Sequence, residues 1–268
     1  MSVAVFLGLL VQACNPETSE VERLQGRIED NYRLFAPPGA GPFTTIIAVP
    51  GCSGIASQSA DAEAAISQLG EDDRLFRGHY PKIAERLSDE GFAVYLIDIL
   101  TAEGLVKACA EPVPAQRIAE YIDATITWLR TLPAVDSSDI HVVGFSMGGW
   151  GSLAWLHGPR NGASSVRSVT TVYPGCFDRQ PLNVEVPVLM LLGDADDIAD
   201  PSLCDALVEA SSIRDLITVR HYPGARHGFD IQGAPSVLDI GNGMTVGYQE
   251  AAADAAWREL VDFIRTSP

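Results

Sequence analysis

The sequence predicts an α/β fold with a mostly parallel central sheet and helices on both faces. Apolar, β-branched runs recur along the chain, stretches of helical periodicity separate them, and several runs end in Gly, Pro or acidic turns. Strands alternating with helical segments imply βαβ crossovers, and a strand buried on both faces reads as a near-continuous apolar run.

Thr44–Val49 (TTIIAV), closed by Pro50-Gly51, is the first such strand. Phe92–Leu100 (FAVYLIDIL), Ile140–Phe145 and Val186–Leu192 follow, with weaker runs at Val166–Tyr173 and Leu216–Tyr222. Between them the apolar spacing predicts helices over Tyr80–Glu90, Pro112–Leu132, Gly148–His157, Pro201–Ser212 and Tyr248–Arg265. In the second of these Ile118, Ile122, Ile126 and Leu129 fall on one helical face. No repeat, low-complexity tract or long Pro/Gly/Ser linker divides the chain, so residues 27–268 read as a single domain. Ile55–Gly78 is polar, acidic and irregular, and is expected as a loop or small lid flanking a site, or as a solvated insertion.

The 268 residues are 47% apolar, enough for a sizeable core. Against 35 acidic residues stand 18 basic ones, a formal net charge of −17, with no basic cluster to meet a phosphate backbone. Nucleic acid is therefore not an expected partner. Residues 1–26 read as an N-terminal signal-like segment and linker. The apolar run Val3–Val11 is too short to span a bilayer as a helix but has the length of a signal-peptide core. It ends in Ala13-Cys14, which resembles a bacterial lipobox with Cys14 as the lipidated residue and the sole route to membrane attachment. No Lys or Arg precedes the run, and Gln12 is unusual at its position. The expectation is an exported, periplasmic or lipid-anchored protein; the alternative is a cytoplasmic one with this segment packed on the domain.

Cys52, Cys109, Cys176 and Cys204 remain. An even number suits two disulfides in an oxidising compartment, with three pairings open, and Cys176 and Cys204 each follow a predicted strand and stand to meet. Four buried thiols are the alternative. The spacings match no common zinc pattern, so no metal is assigned, and no nucleotide-phosphate motif implies a cofactor.

Chemistry concentrates at residues 144–148, Gly-Phe-Ser-Met-Gly, a G-x-S-x-G placed between a strand and a helix. A sharp turn there strains the serine backbone, and the glycines make room for it. Ser146 is thus a nucleophile candidate, with the Met147 N–H at a helix start near any developing oxyanion. An unassisted serine is a poor nucleophile, so a base and an acid must follow it. Gly193-Asp194-Ala195-Asp196-Asp197 supplies carboxylates after one strand, and Arg226-His227-Gly228 supplies a histidine after the next. His227 is the base candidate and Asp196 the acid, with Asp197 as its alternative; a cation bound by the whole acidic cluster is a further reading. The second oxyanion donor is assigned to the Cys52 N–H in Pro50-Gly51-Cys52-Ser53-Gly54. His79 and Arg226 are candidate substrate contacts, although His79 also reads as an exposed residue near a helix start. The other histidines compete less well: His141 reads as structural, His157 lies at a helix end and His221 within a strand.

With VPGCSGI at 49–55, GFSMGGW at 144–150, VYPGC at 172–176, LLGDADD at 191–197 and YPGARHGFD at 222–230, the chain resembles the dienelactone hydrolase family of α/β-hydrolases. That resemblance implies a metal-free, cofactor-free hydrolase of small-molecule esters or lactones, working through an acyl-enzyme. It carries the nucleophile to Ser146, the acid to Asp196, the base to His227, and the oxyanion amides to Cys52 and Met147. The family's founding enzymes use a cysteine nucleophile and carry a glutamate where Gly51 stands, so dienelactone itself does not follow. A peptidase or acyltransferase on the same fold, or a non-catalytic envelope binding protein, are the alternatives. Oligomeric state is not legible.

Overall fold

In the computed structural model, which describes residues 19–55, 70–158, 165–178 and 180–268, seven strands form one sheet in the order β1-β3-β2-β4-β5-β6-β7. They are β1 (Tyr32–Phe35), β2 (Phe43–Val49), β3 (Ala93–Ile97), β4 (Val135–Phe145), β5 (Val166–Val172), β6 (Val188–Gly193) and β7 (Ile217–Tyr222). β1 pairs antiparallel with β3, and every other neighbouring pair is parallel. The period of two sorts each strand's side chains between two cores. Ile47, Val142, Val188 and Met190 enter one core, while Ile46, Val143, Leu189 and Leu191 enter the other.

Helices α1 (Glu20–Glu29), α4 (Ala115–Leu129), α5 (Met147–Trp155) and α6 (Pro201–Ala210) supply residues to the first core. α2 (Glu71–Asp89) and α7 (Glu250–Thr266) supply the second, and a single turn, α3 (Ile99–Ala102), follows β3. The central parallel strands therefore run into loops at one common edge, where open α/β sheets place their sites.

The structure departs from the sequence reading in four places. The domain begins before residue 27: α1 opens with a capping box at Ser19 and Glu22 and buries Leu24 and Ile28, so residues 20–26 are not a linker. Positions 1–18, with the expected export segment and Cys14, lie outside the described residues, as does 56–69 of the expected lid. The rest of that lid is helix, since α2 starts at Glu71 rather than Tyr80. Glu71, Asp72 and Asp73, read as loop, are its acidic first turn, where they complement the helix dipole. Phe92–Leu100 is not one strand: Asp98 accepts from the Thr101 N–H at 3.1 Å and starts α3. Finally, β8 (Leu238–Gly241) and β9 (Met244–Val246) form a hairpin that the helix and strand patterns did not anticipate.

Two disulfides, Cys52–Cys109 and Cys176–Cys204, tie these loops. The first closes a loop of 57 residues, for which the chain-entropy relation gives about 4 kcal/mol of stabilisation. Cys52→Ser/Cys109→Ser should lower the urea-unfolding free energy by that order. His141 lies buried in β4 with Nδ1 2.7 Å from Ser168 Oγ. Burial holds its pKa below the ordinary value, although Asp139 pulls the other way. The unfolded chain takes up this proton near pH ~6.5 while the folded chain does not. The stability it contributes is thus complete above that pH and lost as pH falls through it toward the lower folded value. Denaturant titrations across this window should show a decline that His141→Asn flattens.

Candidate active site

Ser146 stands between β4 and α5 with φ 51° and ψ −116°, a conformation seldom adopted outside glycine. Its N–H donates to Val172 O at 2.9 Å, which fixes the turn to the next strand. The flanking glycines answer to steric limits. A Cβ on Gly144 would lie 2.6 Å from Gly148 O, and one on Gly148 would lie 2.5 Å from Pro50 O and closer still to Val49 O. These are backbone atoms that cannot swing aside.

The loop after β7 brings His227 to the serine, with Nε2 2.8 Å from Ser146 Oγ. On the other side of the ring, Nδ1 is 2.8 Å from Asp196 Oδ2. The remaining oxygen, Asp196 Oδ1, accepts the N–H groups of Ile198 at 2.9 Å and Ala199 at 2.8 Å. Asp196 is buried and held by backbone donors, so its carboxylate has one free direction and that direction meets His227.

The neighbouring carboxylates are each engaged elsewhere. Asp194 bonds His221 Nδ1 at 2.7 Å, and Asp200 caps α6 through Ser202 N–H. Asp197 accepts from the Thr245 N–H and Oγ1, bonds that hold its carboxyl below the usual range although burial pushes the other way. The alternative acid Asp197 is thus bonded to the hairpin, while Asp196 meets His227. Among the described residues no cluster of three or more metal-ligating side chains is assembled.

Of the oxyanion candidates, Met147 is the first residue of α5. Cys52 sits in the turn after β2, where its carbonyl accepts Ala108 N–H at 2.8 Å and its sulfur is bonded to Cys109. This turn abuts Ser146, since a Cβ on Gly51 would stand 3.2 Å from Ser146 Cβ and 2.6 Å from Tyr80 Oη. There is no space here for the founding enzymes' glutamate without rearrangement.

The two candidate substrate contacts, His79 and Arg226, both have partners within the protein. His79 is neither exposed nor at a helix start: it is buried midway along α2, with Nε2 3.1 Å from Asp230 Oδ2. Arg226 Nη1 donates to Thr245 Oγ1 at 2.7 Å and lies 3.6 Å from Asp197. Three residues around the site were not singled out from sequence. Tyr80 is bonded to the Gly51 backbone and the Ser53 side chain, and burial pushes its phenol up to about 12. Tyr173 and Asp230 are bonded to each other at 2.8 Å. The motif offered one signal for them, since Asp230 and Tyr173 both fall inside stretches that carried the family resemblance.

Comparison with known proteins bears on the identity of this arrangement. The model of the dienelactone hydrolase family matches residues 76–267. A Synechocystis sp. protein provisionally named a carboxymethylenebutenolidase is 23% identical over 252 residues, covering 87% of this chain and 90% of that one. Among solved structures, a dienelactone hydrolase-like promiscuous phosphotriesterase from metagenomic libraries superposes with a TM-score of 0.63 at 18% identity, covering 85% of this chain and 88% of its own. Dienelactone hydrolase from Anabaena variabilis gives 0.58 at 16% identity, covering 88% and 92%. The structural likenesses establish the α/β-hydrolase fold, and the family match, spanning most of the sequence, establishes that this chain belongs to the dienelactone hydrolase family.

Proposed function

We propose that this protein is a serine hydrolase that cleaves carboxylic esters or lactones through an acyl-enzyme intermediate. The observation that carries the reading is the unbroken chain Asp196–His227–Ser146, with both contacts at 2.8 Å.

Ser146 Oγ attacks the acyl carbon while His227 Nε2 takes its proton, and Asp196 holds Nδ1–H and stabilises the imidazolium that forms. The amides of Cys52 and Met147 receive the oxyanion. The tetrahedral species then collapses to the acyl-enzyme, and the departing alkoxide takes the proton from His227. Water repeats the sequence and releases the acid, with Ser146 restored. A lactone would yield one hydroxy acid; an open ester would yield acid and alcohol. The two disulfides support an oxidising, exported setting for this activity.

Purified protein should be labelled by a fluorophosphonate probe and should release p-nitrophenol from p-nitrophenyl acetate, and Ser146→Ala should abolish both. Wild type that is folded but neither labels nor turns over would favour the binding-protein alternative. Asp196→Asn should reduce kcat by about 10⁴-fold, the scale seen when a triad acid is neutralised. Asp197→Asn, by contrast, should leave kcat within about threefold, because only the clasp to the hairpin is altered.

A further inference from the structure

Behind the base lies a set of buried polar groups that the triad does not use. Tyr173 follows β5 with φ 40°, and together with Ser146 and the hairpin residue Asn242 it makes up the non-glycine positive-φ positions among the described residues. Such a backbone costs about 1–3 kcal/mol and persists where its surroundings over-determine it. Here the surroundings do: Tyr173 N–H donates to Leu191 O at 2.8 Å, and the preceding carbonyl, Val172 O, accepts the Ser146 N–H.

That backbone lays the Tyr173 ring against the His227 imidazole, with centroids 4.7 Å apart and planes inclined by 56°. Phe229 meets the same ring edge-on at 5.4 Å. At the far end Tyr173 Oη donates to Asp230 Oδ1 at 2.8 Å, and Asp230 Oδ2 is 3.1 Å from His79 Nε2. Tyr173 is 2% exposed and His79 5%. Burial alone would raise the Asp230 pKa, but its neighbour His79 and the bonds from His79 and Tyr173 hold it below the usual range. The Tyr173 phenol is raised by burial and by the Asp230 charge, so it stays a donor.

The geometry has a mechanical meaning. The imidazole turns about its Cβ–Cγ bond, and its two hydrogen bonds, to Asp196 and Ser146, lie in the ring plane and so resist tilting out of that plane only weakly. A second ring packed against the imidazole, as Tyr173 is at a tilt of 56°, restricts this motion. We propose that Tyr173 is a positioning residue for the base, its ring anchored by Asp230 and His79 so that the imidazole plane stays aligned with Ser146 and Asp196 at once. The proposal rests on the triad reading above.

The test uses the full chain and p-nitrophenyl acetate, with rates normalised to the fraction of sites that a fluorophosphonate labels to completion. Tyr173→Leu, which removes the ring, should lower kcat by about 10–100-fold and leave KM within about twofold, the signature of lost alignment rather than lost binding. Tyr173→Phe keeps the ring and loses the anchor, so its kcat should fall only about threefold to tenfold, as should that of Asp230→Asn. The Tyr173→Phe/Asp230→Asn double variant should be no worse than either single one, because both act through one bond. A normalised kcat for Tyr173→Leu within twofold of wild type, or additive losses in the double variant, would overturn the proposal. If wild type itself neither labels nor turns over, the triad reading fails first and this proposal falls with it.

Discussion

Everything at this site depends on how closely α5 approaches the turn after β2. Gly148 brings the helix so near that Val49 and Pro50 carbonyls occupy the space of a side chain. That contact joins the two segments carrying the proposed oxyanion amides, and it fixes where Ser146 can stand between them. An approach this tight is stable only because the sheet beneath is rigid: β2, β4 and β5 are adjacent, parallel and buried on both faces. The strain at Ser146 is therefore held by the sheet, through Val172 O, rather than by the serine's own neighbours in sequence.

The acidic loop after β6 shows how a crowded charge cluster is made specific. Four aspartates fall within seven residues, Asp194 to Asp200, in a chain of net charge −17, and mutual repulsion would oppose placing any of them in a buried position. The fold separates them by giving each a different donor. Asp194 has His221, whose own pKa is raised by Asp194 and Asp205 against the cost of burial. Asp197 has Thr245, Asp200 has a helix N-terminus, and Asp196 alone receives two backbone amides together with the imidazole. Burial of one carboxylate is tolerable because its oxygens are saturated with donors.

This sorting also marks the boundary of what sequence could say. The order of strands and helices was readable because buried parallel strands leave long apolar runs, and the elbow was readable because its glycines answer to contacts within a few residues. Choosing Asp196 over Asp197 was not, since the decisive partners, Thr245 and His227, lie 48 and 31 residues away. The alternative reading of His79 as an exposed residue near a helix start failed for the same reason, since Asp230, 151 residues on, satisfies it in the interior. The start of α2 was hidden by acidic residues that suit a loop and a helix N-terminus equally. The hairpin left an Asn-Gly turn signal at Asn242-Gly243, but its strands are too short and too exposed to show alternation.

Loops at the edge of a sheet have little apolar surface to bury and tend to open first. In this chain two disulfides cross-link loops of this edge. Cys52–Cys109 binds the turn beside Ser146 to the segment leading into α4, where the Ala108 N–H reinforces it. Cys176–Cys204 binds the loop after β5 to α6, the helix that follows the Asp196 loop. The first cross-link thus steadies the segment of one proposed oxyanion amide, and the second flanks both Tyr173 and the Asp196 loop. Covalent closure adds to the packing of these segments, whose Ala108, Cys176 and Cys204 are buried in the first core, while the Ser146 turn is fixed by the sheet itself through Val172 O.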